Sequence, residues 1–269
     1  MIQYEAVIAF NQQVAPDCHH LGLACEGELL KASPGQFVMV QVGSDAKPLL
    51  RRPFSICGRM AGTRHPQGIE LLIKVVGQGT RLLAAKSVGD KVDLIGPLGH
   101  GFRVESGHEK FYLAAGGIGI APIRFLATEI VSRGADPNRI HLFLGGRSQA
   151  DLLCRQDFIQ LGIPLTITTD DGSDGDQCQI TDPLQIAIQQ SKPDMVYACG
   201  PPGMLACIAG IVRRCQVRCQ VSIETLMACG LGVCLGCAVQ PRKPQAEAYW
   251  HACIHGPVFN MEDLALDEV

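Results

Sequence analysis

Ala114-Ala115-Gly116-Gly117-Ile118-Gly119-Ile120-Ala121-Pro122 is the stretch that decides the fold. An apolar run, 110–114, leads into it and a helical pattern, 120–133, leads out. Strand, glycine turn and helix in that order let the main chain approach a pyrophosphate, with a helix start facing the negative charge. Pro122 falls in the first helical turn, where its missing N–H costs no hydrogen bond. A short glycine motif is weak alone, and the strand-to-helix setting gives it weight.

Downstream the same rhythm continues. The pattern predicts strands at 141–144, 165–169 and 195–198, and helices at 151–161, 182–190 and 202–214. Strands alternating with helices argue for a parallel, doubly wound sheet over 104–222. Cys199-Gly200-Pro201-Pro202 follows the last predicted strand, at the sheet edge where such folds bind ligands. The acidic loop 170–176 fails the EF-hand pattern, with Gly172 third and Thr181 twelfth, and reads as a solvated loop.

Upstream, residues 1–103 read as β. Short apolar or alternating runs at 5–10, 20–24, 36–42, 68–76 and 91–95 are separated by Ser33-Pro34-Gly35 and Gly96-Pro97-Leu98-Gly99. That punctuation suggests a small antiparallel barrel, with 60–67 as a hairpin loop. Arg52-Pro53-Phe54-Ser55 offers a guanidinium, a ring and a hydroxyl, which suit a phosphate, a flat ring and a ring nitrogen. Gly77-Gln78-Gly79-Thr80 precedes a helical stretch, 81–86, and is a second candidate phosphate site. A surface arginine pair and an ordinary glycine turn account for these residues equally well.

The third segment, 223–269, is short and rich in cysteine and glycine, so a metal or a host domain must hold it. Cys229, Cys234 and Cys237 have C-x4-C-x2-C spacing, and Cys253 follows at a distance. This is the plant-type spacing for a [2Fe–2S] cluster. Zinc and inert buried cysteines are the alternatives, but structural zinc usually pairs two short-spaced units and the second is missing. The other nine of the 13 cysteines have no ligand spacing and read mostly as small core residues.

The chain has 269 residues, a formal charge of −3 and 47% hydrophobic residues, enough for a core and unsuited to a dedicated polyanion binder. No run of about 18 apolar residues suggests a membrane span, and the first residues do not resemble a signal peptide. A cytoplasmic chain with this many cysteines points to metal or redox chemistry rather than disulfides.

Together Arg52–Ser55, Gly79-Thr80, Gly116–Gly119 and Cys199–Pro202 resemble the ferredoxin–NADP reductase superfamily. The cysteine set and Gly256-Pro257-Val258-Phe259 narrow the resemblance to the electron-transfer subunits of NAD-dependent, class 1B dihydroorotate dehydrogenases, over the full length. The resemblance implies an FAD-binding β-barrel (1–103), an NAD-binding α/β domain (104–222) and a [2Fe–2S] segment (223–269). It implies that Arg52, beside Pro53, holds the FAD pyrophosphate, that Phe54 contacts the flavin region and that Ser55 lies near flavin N5. Leu72, Ile73 and Lys74 would line FAD with strand backbone, and Gly79 and Thr80 would bind its phosphates. Gly116, Gly117, Gly119 and Gly200 would take the NAD side, with Cys199 near the nicotinamide. Ser55 and Cys199 are thus the implied catalytic residues, and Cys229, Cys234, Cys237 and Cys253 the cluster ligands.

The resemblance also implies a partner, an FMN-bearing catalytic subunit in a heterotetramer. Electrons from dihydroorotate would pass through FMN, the cluster and FAD to NAD⁺ in pyrimidine biosynthesis. Two departures stand out: Phe54 replaces a common tyrosine, and Arg147-Ser148 matches residues that grip a 2′-phosphate in NADP-dependent relatives, leaving NADH against NADPH open. Related subunits of ferredoxin–NADP oxidoreductases, sulfide dehydrogenases or hydrogenases share these motifs and differ in partner. A cluster-bearing regulatory module without turnover would not need both Arg52–Ser55 and Cys199–Pro202.

Overall fold

Six antiparallel strands close into a barrel in the order β1-β2-β5-β4-β3-β6. They are β1 (Ile2–Ala15), β2 (Cys18–Ala24), β3 (Phe37–Val40), β4 (Arg52–Met60), β5 (Gly68–Lys74) and β6 (Lys91–Leu98), with the short helix α1 (Gln78–Ala84) between the last two. The computed structural model describes residues 2–43, 48–62, 66–243 and 248–266. The barrel interior is the alternate face of these strands. Ile8, Leu21, Leu23, Val38, Val40, Ile69, Leu71, Ile73 and Leu94 all bury there, as the two-residue strand period requires.

One expectation is corrected here. Gly96-Pro97-Leu98 is not a turn but the end of β6, where Gly96 pairs with Ile2 and Leu98 with Phe37. The apolar run that begins at Arg52 is a full strand, nine residues long. Of the expected hairpin loop 60–67, residues 63–65 lie outside the described residues.

The second sheet has the order β14-β11-β10-β7-β8-β9, with β14 at Val258–Asn260. Its parallel strands are β7 (Phe111–Gly116), β8 (Ile140–Gly146), β9 (Leu165–Thr169), β10 (Met195–Cys199) and β11 (Cys219–Ser222). Helices α2 (Ile120–Ser132), α3 (Arg155–Gln160), α4 (Thr181–Gln190) and α5 (Pro202–Cys215) connect them. Strands β8 and β9 build outward on one side of β7, and β10 and β11 on the other. The direction of winding therefore reverses between β7 and β10, the place where doubly wound sheets open a crevice.

The strand at 195–199 is not the last of the sheet, because β11 lies beyond it. Its four residues are too few to show a period in the sequence. The helix expected over 151–161 contracts to α3. Cys154 adopts a left-handed conformation, φ 57°, which a right-handed helix cannot contain. Of the nine cysteines read as core residues, Cys207 is exposed, and Cys154, Cys178 and Cys215 are only partly buried.

The C-terminal segment contributes β12 (Ala238–Val239), β13 (Trp250–His251), the single turn α6 (Ala252–His255) and β14 (Val258–Asn260). Strand β14 pairs antiparallel with β11, so the segment ends as the edge of the nucleotide-domain sheet. One buried cluster joins Phe37, Met39 and Leu98 of the barrel, Val221 and Ile223 beside the sheet, and Cys237, Ala252, Cys253 and Phe259 of this segment. The segment is thus wedged between both larger parts, which is how a short stretch gains a core.

A polar seam joins the barrel directly to the nucleotide domain. Arg124 on α2 donates from Nη1 to Glu70 on β5 at 2.6 Å and to the Cys57 carbonyl at 3.1 Å. Its Nη2 lies 2.9 Å from Asp157 on α3. His20 on β2 reaches the same Glu70 at 3.0 Å. Lys74, at the end of β5, bonds to Asp151 at 3.0 Å.

Candidate functional site

At the switch point a cavity of about 660 Å³ opens between Lys74 of the barrel and the ends of β7, β8 and β10. Gly116, Gly117, Gly119 and Gly200 line it. The glycines do different work. A Cβ on Gly119 would stand 2.5 Å from the Cys199 carbonyl oxygen and 2.8 Å from the Gly200 nitrogen, so this residue lets the two ligand loops touch. A Cβ on Gly117 would meet nothing within 4 Å, and it faces open space. A bare main chain around a roomy cleft fits a dinucleotide pyrophosphate.

Cys199 lies in the strand beneath this cleft, 1% exposed within the core. Burial, and then the nearby Glu224 charge, push its thiol far above the ordinary thiol range. It therefore keeps its proton. The cavity wall beside it is main chain, at Gly200, and not the sulfur.

On the barrel, Arg52, Pro53, Phe54 and Ser55 are half-buried residues of β4, paired with Val40, Met39, Val38 and Phe37 in turn. The Arg52 guanidinium donates to the Leu50 carbonyl at 2.6 Å and lies against the start of α1, where a Cβ on Gly79 would be 3.2 Å from Arg52 Nε. Thr80 uses its hydroxyl locally. It accepts from the main-chain N–H of Val76 at 2.9 Å and of Gly77 at 3.1 Å. What this turn offers a phosphate is main-chain N–H and the arginine, not the threonine oxygen. Of the predicted strand residues, Ile73 points into the barrel core and Leu72 into the core beneath the nucleotide sheet. Their side chains are committed to these cores, so what these two residues offer a ligand is main chain.

The cysteine loop curls through left-handed residues Gly230, φ 71°, and Gly232, φ 78°. This curl turns main-chain N–H groups onto sulfur. The Cys229 Sγ accepts from Leu231 at 3.3 Å and from Cys234 at 3.4 Å. The Cys253 Sγ accepts from Gly232 at 3.2 Å and lies 3.2 Å from the Cys237 Sγ. Partial burial opposes ionisation of Cys229, but the amides of Leu231, Cys234 and Val233 prevail and lower it to about 6. Burial and the neighbouring Cys237 push Cys253 up to about 12.

The contacts thus fall into two pairs, the Cys229 sulfur with the Cys234 amide and the Cys237 sulfur with that of Cys253. Two thiolates on each of two irons is the arrangement a [2Fe–2S] cluster takes, and amides aimed at sulfur stabilise its charge. The donor set fits a two-iron cluster better than zinc.

Comparison with known proteins identifies the parts. Residues 5–102 match an oxidoreductase FAD-binding domain, 113–210 an oxidoreductase NAD-binding domain, and 224–265 the iron–sulfur cluster binding domain of dihydroorotate dehydrogenase B. The dihydroorotate dehydrogenase B (NAD⁺) electron transfer subunit of Desulforamulus reducens is 37% identical, with 95% of each chain covered. That of Shouchella clausii is 38% identical, with 98% of each covered. This chain belongs to the dihydroorotate dehydrogenase B electron-transfer subunit family. It is a flavin and iron–sulfur oxidoreductase subunit, with the family's FAD-binding, NAD-binding and cluster-binding parts in order.

Among solved structures, the NADH-dependent reduced ferredoxin–NADP oxidoreductase, studied for flavin-based electron bifurcation, matches with TM-score 0.82 and 27% identity. It covers 98% of this chain and 90% of its own. A ferredoxin NADP⁺ reductase from Neisseria gonorrhoeae, at TM-score 0.66 and 16% identity, shares the fold, over 79% of this chain and 91% of its own.

Motifs alone do not reveal three polar residues of the cleft. Asp151, Asp170 and Glu224 line it. Asp151 bonds both Lys74 at 3.0 Å and the Nε of Arg147 at 3.0 Å. Burial raises the Glu224 carboxyl above its ordinary range. None carries a motif; each is brought to the cleft by tertiary folding. Glu224 follows β11, the strand too short to be seen in the sequence.

Proposed function

We propose that this chain carries electrons from an FMN-bearing dihydroorotate dehydrogenase partner to NAD⁺, in the cytoplasm and within a heterotetramer. The cysteine loop carries this reading. Paired sulfurs under main-chain N–H groups, packed against the barrel, make a port for electrons rather than a site for proton transfer. When bound, flavin and cluster supply the change between one- and two-electron steps. The protein supplies placement. Arg52 and the Val76–Thr80 turn hold the flavin phosphates, and β4 from Phe54 to Ser55 faces the ring. Cys229, Cys234, Cys237 and Cys253 hold the irons. The glycines around the cleft seat the dinucleotide, and Ser55 with the Cys199–Gly200 main chain brackets the place where the nicotinamide meets the flavin.

Two further observations support the reading. The Arg147 side chain that a 2′-phosphate would need is bonded to Asp151, and Asp170 adds a second carboxylate, which favours the ribose diol of NADH. Beside the cysteines, Leu226 is 91% exposed and Val233 79%, and Leu235 and Ile254 are exposed too. Apolar side chains left in water around an electron port suit a partner subunit.

The test is an anaerobic visible spectrum of the complex with its native partner, after dihydroorotate and separately after NADH. Both should bleach the flavin and cluster bands. Bleaching by NADH alone would remove dihydroorotate and leave the second reading, a ferredoxin–NADP oxidoreductase subunit, which the 0.82 TM-score match favours.

A further inference from the structure

The polar seam between barrel and nucleotide domain contains two cysteines that neither cofactor uses. Cys57 lies on β4 and is fully buried. Cys154 stands just before α3 and is partly exposed. They pack into the same apolar cluster from opposite sides of the seam. We propose that Cys57 and Cys154 form a dithiol–disulfide couple that, oxidised by peroxide, covalently fastens the barrel to the nucleotide domain.

Three observations carry this. The first is the backbone. Cys154 is one of three non-glycine residues at positive φ among those described. A side chain in this conformation is sterically disfavoured, and glycine or asparagine would be the ordinary occupant. What the position gains from cysteine is a sulfur at the seam.

The second is the guanidinium. Arg124 Nη1 lies 3.6 Å from the Cys57 sulfur and 3.1 Å from its carbonyl oxygen. Glu70 and Asp157 hold the arginine in place from either side. A fixed cation beside a sulfur stabilises the thiolate, the form that reacts.

The third is the asymmetry of the pair. The Cys154 thiol, acting on Cys57 against burial and together with Arg124, lowers Cys57 to about 7. Cys154 is raised in turn. One sulfur is ready as the nucleophile and the other holds the proton.

The chemistry balances. The Cys57 thiolate attacks one peroxide oxygen, the O–O bond breaks and hydroxide leaves, giving a sulfenic acid. The Cys154 sulfur then attacks the Cys57 sulfur, the S–O bond breaks, and water departs with the Cys154 proton. Two thiols and one hydrogen peroxide give one disulfide and two waters. Sulfur is oxidised and peroxide reduced.

The test treats the intact complex with hydrogen peroxide, alkylates the remaining thiols and digests with trypsin. Trypsin spares the Arg52–Pro53 bond, so Cys57 falls in peptide 52–59 and Cys154 in peptide 148–155. The expected product is the linked pair, two hydrogens lighter than the sum, lost on reduction with dithiothreitol and lost in Cys154→Gly. Glycine suits the left-handed backbone, so this variant removes the sulfur without disturbing the turn. Oxidised wild-type protein should also unfold at a higher temperature than its reduced form, and oxidised Cys154→Gly should not. The proposal is overturned if the exposed Cys207 is oxidised while both seam cysteines remain alkylated, or if either ends as a sulfinic acid without the link.

Discussion

Replacing Arg124 with methionine should be among the most damaging single changes in this protein. The guanidinium is 16% exposed and its partner Glu70 15%, so the pair is largely withdrawn from water. Methionine keeps much of the aliphatic stem and removes the guanidinium with its bonds to Glu70, Asp157 and the Cys57 carbonyl. Glu70 is then left buried with His20 as its remaining partner. Breaking a buried pair in this way costs about 3–5 kcal/mol. Asp157, at 38% exposed, is screened by solvent and adds little.

Total stabilities are of the order of 5–15 kcal/mol, so the loss is a large share. At about 2–4 °C per kcal/mol for chains near this size, the unfolding temperature should fall by roughly 6–20 °C. Urea unfolding of the flavin-loaded protein, followed by the rise in flavin fluorescence, measures it. Arg124→Met with Glu70→Gln removes both charges, and the double variant should recover about 0.5–3 kcal/mol relative to the sum of the singles. A loss below about 1 kcal/mol for Arg124→Met, or strict additivity in the double variant, would refute the claim that this seam is held by a buried ion pair.

Three other outcomes are expected. His20→Gln should destabilise more at pH 6 than at pH 9. Burial disfavours the charged ring, but the bond to Glu70 prevails and raises His20 above its ordinary 6.5, so its contribution is complete below that value and fades as pH rises through the folded one. Denaturant midpoints at the two pH values check this, and an equal or reversed effect would contradict it. Gly119→Ala should raise the KM for NADH by about tenfold, equivalent to about 1.4 kcal/mol, because its methyl would press on the Cys199 carbonyl at 2.5 Å. Steady-state NADH oxidation with an artificial acceptor reads it, and an unchanged KM removes the loop contact from the binding argument. Cys234→Ser, at an exposed position, should abolish the cluster absorption while leaving the flavin content unchanged; joint loss of iron and flavin would show that the two sites are not independent.

The sequence made some of this fold legible and hid the rest for identifiable reasons. Strong periods carried the barrel runs and the alternation after Ala114, because each strand or helix buries a face that repeats along the chain. The pieces that escaped depend on partners far away in sequence. Strand β11 is four residues long and exists because β10 and β14 flank it. Gly96-Pro97 looks like a turn and is held extended by β1 and β3. Leu152-Leu153-Cys154 has a helical look, yet Cys154 turns left-handed at the seam. The candidate site divides the same way. Motifs pointed to the glycine turn and to the cysteine spacing. They could not tell that the Cys199 sulfur lies under the cleft floor, that Thr80 is occupied with its own turn, or that Asp151 bridges Lys74 and Arg147 across two domains.

The wedge formed by the C-terminal segment bears on how the molecule is made. Residues 223–266 follow both larger domains in the chain, yet they fill the joint between them. Domains generally fold in the order in which they leave the ribosome. The barrel and most of the parallel sheet are then complete while their shared apolar face, from Met39 and Leu98 across to Val221, is still uncovered. Only when Phe259 and its neighbours arrive does the edge of the sheet close. The segment therefore falls at the closing step of assembly, and a chain cut short before it would leave that apolar joint open to chaperones and proteases.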